Sequence, residues 1–102
     1  MKRMMVRYSV KPEMAAENQQ LIERVFAELR TTTPAGIRYI AFKGNDGVSF
    51  MHLVSLETET GENPLDQSPA FQAFQAGLSE RFAEQPTFTT LDEVGSYQVF
   101  GS

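Results

Sequence analysis

One histidine and two tyrosines are the residues of this sequence most suited to chemistry. His52 is the only histidine among 102 residues, and Tyr8 and Tyr39 lie in segments rich in β-branched and aromatic residues. A neutral imidazole has an unperturbed pKa of about 6.5 and accepts a proton at neutral pH. Beside two phenols it could orient or deprotonate an enol or a phenol. His52 is therefore the candidate catalytic residue.

Whether the three side chains meet depends on a predicted hairpin. Residues 37–43 and 48–57 alternate as strands do and are separated by the turn sequence GNDG. A turn of two or four residues would put Tyr39 on the same face as His52, whereas a three-residue loop would put them on opposite faces. We predict that Tyr8, Tyr39 and His52 form one patch on the helix-facing side. The alternative is a structural histidine, buried and satisfied by a phenol or a carbonyl.

The elements that must position this patch can be predicted from periodicity. Residues 4–10 alternate as a strand, and residues 13–30 carry apolar side chains at helical spacing. After a polar loop, Ser68 and Pro69 have the residue types of a helix start, and Pro86 is expected to end that helix. Residues 87–100 are expected to be extended, with a bulge at Gly95.

Two phenylalanines of the second helix are candidate site residues of a different kind. Phe71 and Phe74 fall on one helical face together with Leu78 and Phe82, and this face is predicted to point at the sheet. Core packing explains such a stripe without a ligand. If a cavity lies between helix and sheet, however, Phe71 and Phe74 would form its wall.

The order of elements predicts an α+β fold. A βαββαβ chain of this length forms a ferredoxin-like domain, here expected to span residues 1–102 as one unit. Its four-stranded antiparallel sheet should have the first and third strands at its centre and both helices on one face. Because the third strand carries apolar residues on both faces, the bare face predicts a homodimer. The C-terminal strand around residues 97–100 is expected to contribute.

Composition excludes several classes of function. The chain has no cysteine and a single histidine, so we expect neither a metal site within one chain nor a cofactor. A net charge of −4 disfavours nucleic acid as a partner, and the third strand lacks the basic and glycine–aromatic pattern of RNA-recognition modules. No Gly-x-Ser-x-Gly motif is present for a serine hydrolase. No apolar run is long enough to span a membrane, and no signal peptide is recognisable, which predicts a cytoplasmic protein.

The segments VRYSVKPEM (residues 6–14) and SPAFQAF (residues 68–74), with the aromatic hairpin between them, are similar to those of antibiotic biosynthesis monooxygenase-type dimeric α/β barrels. The resemblance implies two sheets packed face to face across a dimer and a cavity in each subunit between sheet and helices. Members that degrade haem use a tryptophan, an asparagine and a histidine on the second helix, and this chain has no tryptophan and no histidine beyond His52. Cofactor-free oxygenases of this type use tryptophan and asparagine near the cavity, and here Asn63 alone could replace the asparagine.

Two hypotheses follow for the function. The first is a cofactor-independent monooxygenase acting on an aromatic or polyketide-like small molecule in the helix–sheet cavity. The second is a non-catalytic dimeric module that binds a small apolar ligand. The tyrosine–histidine patch favours the first, and the missing tryptophan favours the second.

Overall fold

A computed structural model of the chain describes residues 2–99, which form a four-stranded antiparallel sheet and its covering helices. The strands are β1 (Lys2–Val10), β2 (Ile37–Lys43), β3 (Ser49–Leu56) and β4 (Phe82–Leu91). The helices are α1 (Ala15–Thr32), α2 (Pro69–Ala76) and α3 (Leu78–Arg81). The strand order β2-β3-β1-β4 confirms the predicted α+β, βαββαβ topology, with β1 and β3 at the centre.

The β2–β3 hairpin has the register that the site requires. Gly44 donates its N–H to the carbonyl of Ser49, which leaves four residues in the turn. The Asp46 carboxylate accepts hydrogen bonds from the backbone N–H groups of Val48 and Ser49 and so stabilises this turn. Tyr39 pairs with Val54 and therefore lies on the same face as His52, as the four-residue turn predicts.

The predicted start of the second helical region is confirmed. The Ser68 side chain accepts a hydrogen bond from the N–H of Phe71, and Pro69 occupies the first helical position. Glu28 of α1 reaches this helix end, where its carboxylate accepts from the Ser68 hydroxyl and from the N–H of Ala70. The sequence SPAFQAF thus begins α2 and ties it to α1.

The predicted end of that region is wrong. The helix is interrupted at Gly77 and ends at Arg81, whose carbonyl accepts the N–H of Lys11 and draws the chain into the sheet. Phe82 begins β4 but still packs in the core, with its ring centroid 5.4 Å from that of Tyr8. Pro86 consequently lies within a strand.

Pro86 is tolerated in β4 because the pairing with β1 shifts there. Arg7 pairs with Thr87 but Ser9 pairs with Glu84, so two residues of β4 oppose one residue of β1. A bulge of this kind leaves a residue outside the ladder, where proline needs no N–H. The predicted bulge at Gly95 is wrong, because β4 ends at Leu91 and residues 92–99 form no strand. The extended segment expected over residues 87–100 is confirmed for residues 87–91, which belong to β4, and wrong for residues 92–99. The strand expected around residues 97–100 is thus wrong up to residue 99, and Phe100 lies outside the described residues.

The helices and the sheet share one core on the helix-facing side. Its buried members are Tyr8, Val10, Ile22, Val25, Phe50, Leu65 and Phe74. On the opposite side of the sheet, the arginines Arg3, Arg7 and Arg38 surround a group of half-buried apolar side chains, Met5, Ile40, Met51 and Leu53. We call these four residues the far face. Within residues 2–99, no helix is both long and apolar enough to cross a membrane.

Candidate functional site

The His52 imidazole lies between two phenols. Its Nε2 is 2.8 Å from the Tyr8 hydroxyl oxygen, and its Nδ1 is 2.6 Å from the Tyr39 hydroxyl oxygen. Tyr8 is paired with Phe50 on one side of His52, and Tyr39 with Val54 on the other, so both tyrosines lie diagonally across from the histidine. The predicted meeting of Tyr8, Tyr39 and His52 on the helix-facing side is confirmed.

Two further residues extend this hydrogen-bonded row. The Asn18 amide nitrogen donates to the Tyr8 oxygen at 3.1 Å, and Arg81 donates from Nε to Asn18 Oδ1 at 3.0 Å. Arg81 also donates to the Phe74 carbonyl at 2.7 Å, and its guanidinium lies over the Phe74 ring. We call Tyr39, His52, Tyr8, Asn18 and Arg81 the polar chain. In the described part of the protein, no buried side-chain nitrogen or oxygen lacks a hydrogen-bond partner.

Asn18 and Arg81 were not foreseen from the sequence, although a signal for each is present. Asn18 precedes Ile22 and Val25 by four and seven residues, so it shares their buried helical face. Arg81 follows Phe74 by seven residues and lies in phase with it. A polar side chain in phase with an apolar stripe must find a partner inside the protein, and this would have marked both residues.

Burial keeps the histidine and the two tyrosines of the polar chain in their neutral forms. It lowers the pKa of His52 to about 4, so the imidazole is neutral at pH 7. Burial raises the pKa of Tyr8 to about 12, against the opposing effects of the Asn18 hydrogen bond and the Arg81 charge. The pKa of Tyr39 is also raised, first by burial and then by Tyr8. Among the five residues of the polar chain, Arg81 is therefore the one that carries a charge at pH 7.

The Tyr39 end of the polar chain lies at a cleft. His52 and Tyr8 are each 5% exposed, and the Phe74 ring covers the imidazole at 5.5 Å between centroids. Tyr39 is half-buried and lines a cleft of about 490 Å³ between α1 and β2. The other walls of this cleft include Phe26, Phe42, Phe50, Glu23, Arg30 and Lys43. Any contact between the polar chain and a molecule in this cleft is therefore made by Tyr39.

The remaining candidate residues lie at different distances from this site. Phe74 packs on His52, and Phe71 lies beside Phe74 with 6.0 Å between ring centroids. The Asn63 side chain caps the short 3₁₀ turn Pro64–Gln67 by accepting from the N–H of Leu65. No cluster of three or more histidine, cysteine or acidic residues that could hold a metal ion is found in residues 2–99.

Comparison with known proteins identifies the fold. No family model matches the sequence, and no curated protein matches it. Among solved structures, Rv0793 from Mycobacterium tuberculosis is similar, with a TM-score of 0.73 and 16% identity over 93% of this chain and 96% of that one. A structure described as an antibiotic biosynthesis monooxygenase has a TM-score of 0.72 and 16% identity over 93% of this chain and 100% of its own.

A third similar structure is that of a variant of SnoaB, a cofactor-independent oxygenase from Streptomyces nogalater. Its TM-score is 0.68, with 13% identity over 95% of this chain and 96% of that chain. At these identities the similarity establishes the fold alone. The chain has the fold of the antibiotic biosynthesis monooxygenase structures, as the resemblance in its sequence implies.

Proposed function

We propose that this protein is a cofactor-independent monooxygenase that acts on a small aromatic molecule, with Tyr39 as the residue that contacts the substrate. The observation that carries the proposal is the polar chain, which runs unbroken from the buried Arg81 to Tyr39 at the cleft wall. Similarity in fold to a structure described as a cofactor-independent oxygenase supports the choice of reaction.

The cleft has the chemistry of a site for an aromatic anion. Phe26 and Phe50 line the cleft on the same side of the sheet as Tyr39, and Arg30 and Lys43 outnumber the acidic Glu23. Such surroundings favour the deprotonated form of an enol or a phenol. With its pKa at about 4, His52 is a weak base at pH 7, so we assign it the positioning of Tyr39 rather than the removal of the proton.

The proposed reaction needs only dioxygen as co-reactant. An activated CH₂ group of the substrate loses one proton to water and becomes an enolate. The enolate passes an electron to dioxygen, a carbon–oxygen bond forms at the same carbon, and the peroxide takes up a proton. Loss of water then leaves a carbonyl group, so one CH₂ group and one O₂ give one C=O group and one H₂O. The substrate supplies all the electrons, and no external reductant is required.

Oxygen uptake with a panel of aromatic ketones that carry an activated methylene group tests this proposal. We expect uptake by the purified protein without flavin, nicotinamide or metal, and a loss of about 100-fold in kcat/KM in Tyr39→Phe, because a hydrogen bond to the developing anion is removed. Ser79→Ala, an exposed change on α3, is the matched control. Absence of uptake across the panel, or an unchanged rate in Tyr39→Phe, would contradict the proposal.

A non-catalytic ligand-binding protein is the second candidate. The enclosure of His52 and its low pKa favour it, because a buried weak base can support a hydrogen bond without exchanging protons with a ligand. In that case the same aromatic molecules would raise the melting temperature of the protein without oxygen uptake.

We also propose that the protein is a homodimer formed through the far face. Met5, Ile40, Met51 and Leu53 give this side of the sheet an apolar centre, which a second copy would cover. The dimer is independent of the oxygenase proposal, because the polar chain lies on the other side of the sheet.

A further inference from the structure

The hydrogen bonds of the polar chain have a direction, and Arg81 sets it. A guanidinium group only donates hydrogen bonds, so the Asn18 atom that faces Arg81 Nε at 3.0 Å must be the amide oxygen. The amide nitrogen of Asn18 then faces Tyr8 and donates to the phenol oxygen at 3.1 Å. The orientation of the Asn18 amide, ambiguous in many proteins, is thereby determined.

The Tyr8 hydroxyl hydrogen has one possible acceptor. Within residues 2–99 the hydrogen-bond partners of this hydroxyl are Asn18, which donates, and His52 Nε2. Tyr8 is 5% exposed, and a buried hydroxyl without an acceptor would be strongly unfavourable. Tyr8 therefore donates to Nε2, and Nε2 carries no hydrogen.

The positions of the remaining hydrogens in the polar chain follow from the neutral state of the imidazole. A neutral ring with an unprotonated Nε2 carries its hydrogen on Nδ1, which then donates to the Tyr39 oxygen at 2.6 Å. In the described part of the chain, His52 is the only hydrogen-bond partner of the Tyr39 hydroxyl. Its hydrogen therefore has no acceptor among residues 2–99, and Tyr39 is a wall of the cleft between α1 and β2.

We propose that Arg81 and Asn18 are positioning residues that hold His52 in the Nδ1–H tautomer and make Tyr39 a hydrogen-bond donor towards the cleft. The cleft then selects a ligand whose oxygen accepts, a carbonyl or a phenolate or enolate, over one that must donate a hydroxyl hydrogen. The ligand class rests on the function proposed above, whereas the tautomer is a property of the free protein.

The tautomer can be measured directly because the chain has one histidine. A long-range proton–nitrogen correlation spectrum of the ¹⁵N-labelled protein at pH 7 reports which ring nitrogen carries the hydrogen. We expect a protonated Nδ1 and an unprotonated Nε2. A protonated Nε2 in the wild-type protein would overturn the inference. This measurement needs no variant and no ligand.

Asn18→Asp tests the role of the amide. A carboxylate paired with Arg81 can only accept, so Tyr8 would donate to residue 18, Nε2 would donate to Tyr8, and Tyr39 would donate to Nδ1. We expect the spectrum to change to the Nε2–H tautomer. Asn45→Asp, the same change in the exposed hairpin turn, should leave the tautomer unchanged. An unchanged tautomer in Asn18→Asp would show that the amide does not set the direction.

The donor role of Tyr39 is tested with 4-nitrophenolate as the probe, by titration at a pH where the probe is ionised. Wild-type protein should bind it about tenfold more tightly than Tyr39→Phe and than Asn18→Asp, since each change removes one hydrogen bond to a charged oxygen. Equal affinities would overturn the donor role. A protein with the Nδ1–H tautomer that binds the probe but takes up no oxygen with any member of the substrate panel would refute the proposed oxygenase and leave this inference intact.

Discussion

The two sides of the β-sheet differ in which kind of side chain they enclose and which kind they leave partly exposed. The helix-facing side holds the five residues of the polar chain, four of them buried, and the helices supply two, Asn18 and Arg81, as hydrogen-bond partners for the others. The far face exposes apolar side chains in part, although it belongs to the same strands. Polar groups are thus buried where the chain itself provides hydrogen-bond partners. Apolar groups remain partly exposed where, in our proposal, a second copy provides the cover.

The largest expected effect on stability is on the helix-facing side, at the ring that covers His52. Phe74 is 4% exposed and packs on both His52 and Arg81. Phe74→Ala should lower the free energy of unfolding by about 3–5 kcal/mol, because it leaves a cavity in the core. Phe71→Ala, at a half-buried position one turn earlier, should cost less. Chemical denaturation of both variants measures the difference, and a cost below about 1 kcal/mol for Phe74→Ala would refute the packing described above.

An intermediate effect should come from pH. The pKa of His52 is about 4 in the folded protein and about 6.5 when unfolded, so between these values the unfolded chain binds more protons. The free energy of unfolding should therefore fall by about 3 kcal/mol as the pH drops from 6.5 to 4, with little change from this group above pH 6.5.

Denaturation curves across this pH range, compared with those of His52→Gln, isolate the contribution of the histidine. Asp46 and Glu57, whose pKa values are lowered by their hydrogen bonds, are common to both proteins and affect both alike. If the two proteins lose stability with the same slope between pH 6.5 and 4, His52 is not buried in its neutral form.

The smallest effect on the fold is expected on the far face. Leu53→Glu should change the unfolding free energy of an isolated subunit by less than about 0.5 kcal/mol, because the side chain is half-exposed there. In the proposed homodimer it should cause dissociation, since two carboxylates would lose their hydration at the interface. Sedimentation at micromolar concentration should show a dimer for the wild type and a monomer for Leu53→Glu. A wild-type monomer of 11.4 kDa would refute the dimer.

The fold was predictable because its strongest signals are local. The four-residue turn fixes the hairpin register, and the Ser68–Pro69 pair fixes the start of α2. The end of the second helical region could not be predicted from the sequence, because Phe82 suits both a helical stripe and a strand. Its place in β4 is decided by pairing with Val10, a residue 72 positions earlier in the chain. No local pattern contains that information.

The candidate site was predictable in part for the same reason. Tyr8, Tyr39 and His52 are brought together by strand alternation, which a sequence displays. Asn18 and Arg81 join them through the packing of α1 and α3 on the sheet, and the choice of partners depends on distances that periodicity does not give. Asn63, considered for its residue type alone, caps a turn elsewhere.

The proline in β4 also limits how the subunit can associate. β4 is an outer strand of the sheet, and an unprotected outer strand is a template for pairing with another chain and for aggregation. Pro86 cannot donate a backbone hydrogen bond, and the bulge beside it distorts the ladder. Growth of the sheet by addition of strands is thereby disfavoured at this margin. The homodimer that we propose through the far face needs no pairing at β4, and one partner would saturate that surface.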